Sequence, residues 1–455
     1  MAECTSSTAF HPSIDLFDET LREGSERAPI AASIEDKCHL AAAITAAGIR
    51  TLVVGMFPDV PHNIELLDTL LDQQASGALP PATRFVVISH LGPRMDQTLK
   101  ALDALGRDLG RVWVLAIHAV SDQQIEHLYP TIREQDTDGG PFDRAAWEAH
   151  TDAERKAANL LWYREQLGGL RPVGQLGGFI AGFIDAFRAE PGHVRDAVRI
   201  AEDSGIGEIR LIDTAGTCTP RQAQDFLGGL VTGFPGIKFY GHFHDDFGMA
   251  TANAVTGLSV GLCGTDVSVG GFANRAGHPA LAEVVMALRQ LHDIRLPGFR
   301  TQDLYGLSRL VERTYGLLED PAKAVTGVVT HAVQSGIRTE LLNRAPRIFD
   351  NLDPADVGSR EIRMFGVRSG RDGLLRIIRE HAADLADAGI EATPEAADLL
   401  YDKLVAEWQD RSERARTRLL DTIGAYRQAL DDAFFTEDAV IDWVRASAPS
   451  TGRTK

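Results

Sequence analysis

The segment Lys238-Phe-Tyr-Gly-His-Phe-His-Asp245 is a short aromatic run in which two histidines are separated by one residue. Its length and aromatic content predict a buried β-strand. Segments with helical periodicity, such as Glu35–Ala47 and Gly192–Asp203, separate it from similar runs. Those seven further runs are Ile14–Leu21, Thr51–Met56, Thr83–Leu91, Arg111–Val120, Leu176–Ala186, Glu208–Gly216 and Thr265–Phe272.

The spacing of the eight runs indicates the fold. Apart from one long gap they repeat at roughly 27–38 residues, the size of one strand followed by one helix. Eight such units within about 290 residues predict a TIM (β/α)8 barrel. A doubly wound open sheet is the alternative, but no G-x-G-x-x-G pattern follows the first run. The gap holds a polar segment, Thr131–Arg144, and a helical pattern, Ala145–Gln166, so we expect an insertion there.

The pattern changes after about Pro297. Thr301–Leu318, Gly373–Gly389 and Thr393–Asp431 have helical patterns, and Ser447–Lys455 is typical of a frayed tail. A chain of 455 residues also exceeds the roughly 250–300 residues that one core serves. We therefore predict a catalytic barrel at 13–296, a mostly helical region at 297–446 and a flexible tail at 447–455.

The charge balance excludes two classes of partner. Lys and Arg number 46 against 64 Asp and Glu, a formal charge of −18, which repels nucleic acid and anionic lipid surfaces. We find no export signal and no apolar run long enough to span a membrane. Cys4, Cys38, Cys218 and Cys263 form no Cys-x-x-Cys pair, which favours reduced thiols and a cytoplasmic protein.

The ends of the predicted strands suggest a metal site, because barrel enzymes carry their reactive groups there. Alternation along the strand places His242 and His244 on one face, pointing into the barrel mouth. The first strand ends close by, so Glu23 or Asp18 can supply a carboxylate oxygen. Two histidines and one carboxylate leave open positions for substrate, as a catalytic ion requires. His278, in the loop after the eighth strand, is a candidate further ligand.

Other polar residues at the strand ends suggest substrate contacts. Arg22 would stabilise an oxyanion beside the metal. The Thr214 hydroxyl can donate into the mouth, and Arg188 can bind a carboxylate through two hydrogen bonds. The glycines of Gly270–His278 are equally consistent with close approach of a ligand and with turn geometry.

The sequence resembles the DRE-TIM metalloenzymes over nearly its whole length. Asp18–Gly24 resembles their D-T/S-T-L-R-D/E-G signature, and His242–Asn253 resembles H-x-H-N/D-D-x-G-x-A-x-A-N. Within the barrel, Asp213–Gly216 resembles D-T-x-G, and Gly270–His278 resembles part of N-G-x-G-E-R-A-G-N. In the C-terminal region, Gly327–Arg338 resembles G-x-x-x-F-x-H-x-S-G-I-H. Shorter matches there are Asp356–Gly358 to V-G and Ser369–Arg371 to S-G-R. The resemblance is greatest to the homocitrate synthase and 2-isopropylmalate synthase branch, and Glu23 favours the former.

The resemblance implies a Claisen-type condensation of acetyl-CoA, or another acyl-CoA, with a 2-oxo acid on a divalent zinc, manganese or magnesium ion. Glu23, His242 and His244 would hold the ion, with His278 where the family has Asn. The implied catalytic positions are Arg22, Thr214 and Arg338, and the implied substrate contacts are Glu26, His118, Arg188, Asn274 and Arg275. The family also implies a homodimer in which the C-terminal region completes the neighbouring site.

The sequence departs from the family at several of these positions. Arg338 and Phe349 stand where the family has His and Tyr, and an arginine is no base near neutral pH. Glu26, Ile184 and Gly270 replace Gln, Glu and Asn, which predicts a changed acceptor. His331 and His118 are candidates for the missing base.

Three functions remain open on these grounds. The first is an acyl-CoA condensing enzyme that uses a 2-oxo acid other than or including 2-oxoglutarate. The second is a metal-dependent C–C lyase or aldolase of the same fold, acting on a 2-hydroxy or 4-hydroxy-2-oxo acid. The third is a non-catalytic barrel that serves as a binding or scaffold subunit.

Overall fold

A computed structural model describes residues 10–58, 61–135, 142–333, 345, 352–365 and 369–447. The chain divides into two compact units, one ending at Thr326 and the other beginning at Gly327. We describe each unit by itself.

The first unit is a closed barrel of eight parallel strands, with β8 paired to β1. This confirms the predicted TIM barrel. The strands are β1 Asp15–Asp18, β2 Thr51–Met56, β3 Arg84–His90, β4 Val112–Ala119, β5 Gly178–Ile184, β6 Glu208–Asp213, β7 Lys238–Phe243 and β8 Gly264–Val267.

Helices follow the strands, and side-chain caps fix where several of them begin. Ser33, Thr151 and Thr219 each form a capping box at a helix N-terminus. The helices are α1 Glu23–Glu26, α2 Ile34–Ala46, α3 Pro61–Ala75, α4 Pro93–Ala104, α5 Asp122–Glu134, α6 Arg144–Ala149, α7 Asp152–Gly169, α8 Pro191–Asp203, α9 Pro220–Gly233, α10 Ala250–Ser259, α11 Leu281–Leu291 and α12 Leu304–Tyr315. The pair α6 and α7 occupies the predicted insertion.

An apolar cluster fills the lower part of the barrel and supports the polar groups above it. Its buried members are Phe17, Val53, Val86, Ile88, Leu115, Ile117, Ile180, Tyr240 and Cys263. The guanidinium of Arg210 lies 4.5 Å from the centre of the Phe17 ring, where the cluster ends. Above this level the barrel interior is polar.

The first unit continues beyond the boundary predicted at residue 297. Helix α12 buries Leu304, Leu307 and Val311, and the hydroxyl of Tyr315 donates to the backbone oxygen of Thr20 at 3.0 Å. This helix therefore packs on the barrel. The division by contacts falls after Thr326, because these apolar side chains have their partners in the first unit.

The second unit contains two two-residue strands, β9 Ala332–Val333 and β10 Ile362–Arg363, which pair in parallel. Its helices are α13 Gly370–Glu380, α14 Ala382–Leu385, α15 Pro394–Ala433 and α16 Glu437–Ser447. The predicted helix Thr393–Asp431 corresponds to α15. In the parts of the chain that the structure describes, no helix has both the length and the apolar character needed to cross a membrane.

Candidate metal centre in the barrel mouth

Three imidazoles and one carboxylate converge at the C-terminal ends of the barrel strands. His242 is the second-last residue of β7 and lies on its inner face, and His244 follows just after the strand on the same face. The Nε2 atom of His242 lies 3.3 Å from Nε2 of His244 and 3.1 Å from Nε2 of His278. Glu23, at the start of α1, brings Oε1 within 3.9 Å of the same nitrogen of His242. All four side chains are buried.

The spacing of these atoms fits a shared metal ion. Two nitrogens bound about 2.1 Å from one ion lie about 3.0 Å apart at a right angle and about 3.4 Å apart at the tetrahedral angle. The observed separations of 3.1 and 3.3 Å fall in this interval. When Nδ1 of neutral His242 donates to Asp266, its Nε2 has one lone pair to offer. That lone pair faces Nε2 of both His244 and His278 and cannot accept a full hydrogen bond from each. The four residues together form a group with metal-ligand geometry.

The protonation states also suit a cation. Burial holds the pKa of His242 and of His278 well below the ordinary value, and burial lowers the pKa of His244 as well. Burial alone would raise the pKa of Glu23, but Arg22 and the three histidines outweigh it and lower the pKa below its usual range. The group therefore offers neutral imidazoles and an ionised carboxylate, the forms that bind metals.

Arg22 lies directly beside this group. Its Nη1 is 2.5 Å from Glu23 Oε1, and its Nε is 2.8 Å from Glu19 Oε2. Burial alone would lower the pKa of the guanidinium, but Glu19 and Glu23 outweigh it and raise the pKa above its ordinary value. A positive charge is thus held directly against the carboxylate of the ligand group.

Sequence reasoning missed three fully buried charged residues beneath the ligand group. Asp266 Oδ2 lies 2.5 Å from His242 Nδ1, which leaves Nε2 of that ring free to face the group. Arg210 Nη1 lies 3.4 Å from Glu19 Oε1 and 3.3 Å from Asp266 Oδ2. Burial raises the pKa of Glu19 to about 7 and that of Asp266 to about 6. Strand alternation could have found them, since all three occupy inward-facing positions, in register with Phe17 or Tyr240.

The loop after β8 joins the ligand group to its surroundings. The backbone N–H of Asn274 donates to Glu23 Oε2 at 3.1 Å, and its Nδ2 donates to Glu26 Oε2 at 2.8 Å. Arg275 donates to both carboxylate oxygens of Asp246 at 2.9 Å and to the backbone oxygen of Thr214 at 2.8 Å. The two predicted substrate contacts, Asn274 and Arg275, therefore lie beside the cluster.

The glycines of this loop serve turn geometry. Gly277 has a φ of +119°, and a Cβ there would lie 2.4 Å from the backbone oxygen of Gly271. The N–H of His278 donates to that same oxygen at 3.0 Å. The tight loop delivers the His278 ring to the other ligands.

Thr214 and Arg188 meet at Asp185, which follows β5. The Thr214 hydroxyl oxygen accepts from the N–H of Asp185 at 2.9 Å, so its own hydrogen can be donated elsewhere. Arg188 donates to the two carboxylate oxygens of Asp185 at 2.8 and 2.9 Å, and Ser121 donates to the same carboxylate at 2.5 Å. The carboxylate that Arg188 binds in this structure belongs to the chain itself.

Other predicted positions lie away from the cluster or outside the described residues. His118 follows the inward-facing Ile117, so its ring lies on the outer face of β4, stacked 4.1 Å from Tyr163 of α7. Asp18 likewise follows the inward-facing Phe17, and the metal-ligand group does not include it. Neither His118 nor Asp18 belongs to the ligand group. Arg338 and Phe349 lie outside the described residues.

The chain is similar to known synthases. A homocitrate synthase from Frankia alni is 38% identical over 191 residues, covering 42% of this chain and 54% of that protein. Homocitrate synthase AksA from Methanopyrus kandleri is 31% identical over 243 residues, covering 53% of this chain and 60% of that protein. A probable 2-isopropylmalate synthase from Ignicoccus hospitalis is 27% identical over 421 residues, covering 89% of this chain and 95% of that protein.

The matches to the two homocitrate synthases span little more than half of those proteins. A family model described as HMGL-like matches residues 13–311, which is more than half of this chain and includes every strand of the barrel. As its resemblance to the DRE-TIM metalloenzymes predicts, the chain belongs to the HMGL-like family.

Proposed function

We propose that the protein is a metal-dependent acyltransferase that condenses acetyl-CoA, or another acyl-CoA, with a 2-oxo acid to give a 2-hydroxy-2-carboxymethyl acid. The convergence of Glu23, His242, His244 and His278 beside Arg22 is the observation that carries this proposal. Similarity to proteins named homocitrate synthase and probable 2-isopropylmalate synthase supports it.

The residues around the ligand group have defined roles in this reaction. A divalent ion held by the four ligands would polarise the ketone of the 2-oxo acid. Arg22, fixed from two sides by Glu19 and Glu23, stabilises the negative charge that develops on the ketone oxygen. Because Glu19 and Asp266 orient Arg22 and His242 from below, little reorganisation is needed when that charge forms.

The substrate carboxylate is held at the other side of the mouth. The Thr214 hydroxyl hydrogen is free to donate, since its oxygen already accepts from Asp185. Arg188 is a second contact, and a substrate carboxylate would share its guanidinium with Asp185. Asn274, Arg275 and Glu26 line the side next to Glu23, where the tail of the acceptor would lie.

We propose zinc, ahead of manganese or magnesium, as the ion. Three imidazole nitrogens and one carboxylate favour zinc, whereas magnesium and manganese prefer oxygen ligands. Equilibrium dialysis of chelator-treated protein against each ion tests this order without reference to activity. Zinc retained at one ion per chain, with no stoichiometric magnesium, is the expected result; a preference for magnesium would contradict the assignment.

A thiol-release screen tests the proposed reaction. Purified full-length protein is mixed with acetyl-CoA or another acyl-CoA and a panel of 2-oxo acids, with and without chelator. We expect free CoA with at least one acceptor, loss of release with chelator and recovery when the ion is restored. The matched control is His244→Ala, which removes one ligand. Absence of thiol release across the panel with metal-loaded protein would refute the proposal.

The same screen separates the alternative function. A lyase or aldolase of the same fold would cleave a C–C bond of a hydroxy acid in the absence of any CoA ester. The same metal group would serve that reaction, so the CoA requirement is the deciding observation. Turnover of a hydroxy acid without CoA would select the lyase.

We also propose a homodimer whose C-terminal region completes the neighbouring site, and a cytoplasmic location. The location is supported by the described cysteines, Cys38, Cys218 and Cys263, which are free and buried. Arg338, in the C-terminal region, would contribute to the neighbouring site in this dimer.

A further inference from the structure

One arginine, Arg210 of β6, lies among the buried charges beneath the metal-ligand group. Its side chain is fully buried, and its register with Tyr240 of β7 places it on the inner face of the barrel. The guanidinium carbon lies 4.5 Å from the centre of the Phe17 ring. A cation in such a place needs carboxylate partners, because burial removes the water that would otherwise solvate it. The partners of Arg210 therefore indicate what the residue does.

The Arg210 guanidinium contacts two carboxylates through one nitrogen. Nη1 lies 3.4 Å from Glu19 Oε1 and 3.3 Å from Asp266 Oδ2. Within the described residues, the other two nitrogens, Nε and Nη2, have no hydrogen-bond partner. The polar contacts that the described residues make with this side chain thus go to Glu19 and Asp266 alone.

Each of these carboxylates also contacts a residue of the site above. Glu19 accepts from Nε of Arg22 at 2.8 Å, and it does so through Oε2, the oxygen that does not face Arg210. Asp266 Oδ2 lies 2.5 Å from Nδ1 of His242. One branch from Arg210 therefore leads to the guanidinium beside the ligand group, and the other leads to a member of that group.

We propose that Arg210 is a positioning residue for both branches: through Asp266 it fixes the ring of His242, and through Glu19 it fixes the guanidinium of Arg22. Without its charge, two buried carboxylates that now share one nitrogen would repel each other and leave the positions from which they orient the residues above. The Arg22 branch rests on the proposed function, whereas the His242 branch does not.

An arginine that only stabilises the fold is the alternative. Its loss would lower the free energy of unfolding but would change neither the zinc affinity nor kcat of the folded protein. Arg84 provides the matched control, because it also lies near the Phe17 ring, at 5.5 Å, and pairs with a carboxylate, Glu208, at 2.6 Å. Arg84 and Glu208 begin β3 and β6, at the end of the barrel opposite the ligand group.

The first test measures zinc affinity without substrate, by competition with a chromophoric chelator, and circular dichroism verifies the fold of each variant. Arg210→Met removes the charge and should raise the zinc dissociation constant by about 10-fold. Arg210→Lys keeps one nitrogen that can contact both carboxylates and should stay within about 3-fold of the wild type. Arg84→Met should bind zinc as the wild type does.

A double-mutant cycle tests whether Arg210 acts through Asp266. In an Asp266→Asn background, adding Arg210→Met should change the zinc dissociation constant by less than about 2-fold, because the group that transmits the effect is already gone. The double variant loses one positive and one negative charge, so the buried net charge is that of the wild type. This comparison therefore remains available if Arg210→Met alone does not fold.

The second test measures thiol release at saturating zinc. Arg210→Met should lower kcat by about 10-fold, because Arg22 is displaced from the charge that develops in the reaction. The KM for the acceptor should stay within about 2-fold, since that charge is absent from the bound substrate. In a Glu19→Gln background, adding Arg210→Met should lower kcat by less than about 2-fold.

Several results would overturn the proposal. The first is a folded Arg210→Met protein with the zinc affinity and kcat of the wild type. The second is an equal effect of this change with and without the Asp266 carboxylate, which would show that Arg210 does not act through it. The third is an equal loss of zinc affinity in Arg84→Met. A wild-type protein that binds zinc but releases no thiol would instead refute the proposed reaction, and the zinc cycle would then decide the role of Arg210.

Discussion

Replacing Asp266 with asparagine tests whether the buried charge beneath the ligand group supports metal binding. The change removes a negative charge but keeps the size of the side chain. In the native protein the carboxylate lies 2.5 Å from His242 Nδ1 and 3.3 Å from Arg210 Nη1. Such outer contacts to a metal-binding histidine are worth about 10- to 100-fold in metal affinity, or about 1.4–2.8 kcal/mol. Because Asp266 is fully buried, solvent cannot replace the lost charge.

The assay is competition between metal-free protein and a chromophoric zinc chelator, with far-UV circular dichroism to verify folding. We expect a zinc dissociation constant raised by about 10- to 100-fold for Asp266→Asn. Asp18→Asn is the matched control, because Asp18 is an equally buried carboxylate on the other face of β1. A folded Asp266→Asn protein with wild-type affinity, or an equal loss in the control, would refute the assigned role.

Three further predictions concern stability and specificity. Burial raises the pKa of Asp18 to about 7 from 3.8, so wild-type stability falls as the pH rises through this interval. In urea unfolding, Asp18→Asn should therefore be more stable than wild type at pH 8, by about 4 kcal/mol, and equally stable near pH 4. Glu26→Gln removes a negative charge beside Arg22. We expect the ratio of kcat/KM for a 2-oxo dicarboxylate to that for a 2-oxo monocarboxylate of equal length to rise by about 10-fold. An unchanged ratio would exclude Glu26 from contact with the acceptor. Gly216→Ala places a Cβ 2.2 Å from Asp246 Oδ2 and should lower the melting temperature more than Gly205→Ala, which has a similar positive φ in open space.

The barrel was predictable because its signals are local and repeated. Each strand is a short buried run, and each helix between strands follows a helical period, so the eight units could be counted from the sequence. His242 and His244 were predictable for the same reason, since a strand alternates its faces. The C-terminal end of the first unit could not be predicted from the sequence in this way. The packing of α12 on the barrel depends on contacts between residues distant in sequence, such as the hydrogen bond from Tyr315 to Thr20.

The charged residues beneath the metal group illustrate what the sequence leaves open. Glu19 follows β1, Arg210 lies in β6 and Asp266 lies in β8, and only closure of the barrel brings the three together. His118 shows the opposite error: it lies near a strand end, but its position next to the inward-facing Ile117 directs it outward. Following the alternation of inward and outward positions along each strand would have predicted both the inward-facing charged residues and the outward-facing His118.

The mass of the product formed from isotopically labelled acetyl-CoA and an acceptor identified by thiol release tests the proposed condensation most directly. We expect a 2-hydroxy acid that carries both labelled acetyl carbons, formed by zinc-loaded wild-type protein and absent with chelator or with His244→Ala. Free CoA without a labelled condensation product, or labelled product at the same rate in the presence of chelator, would contradict it.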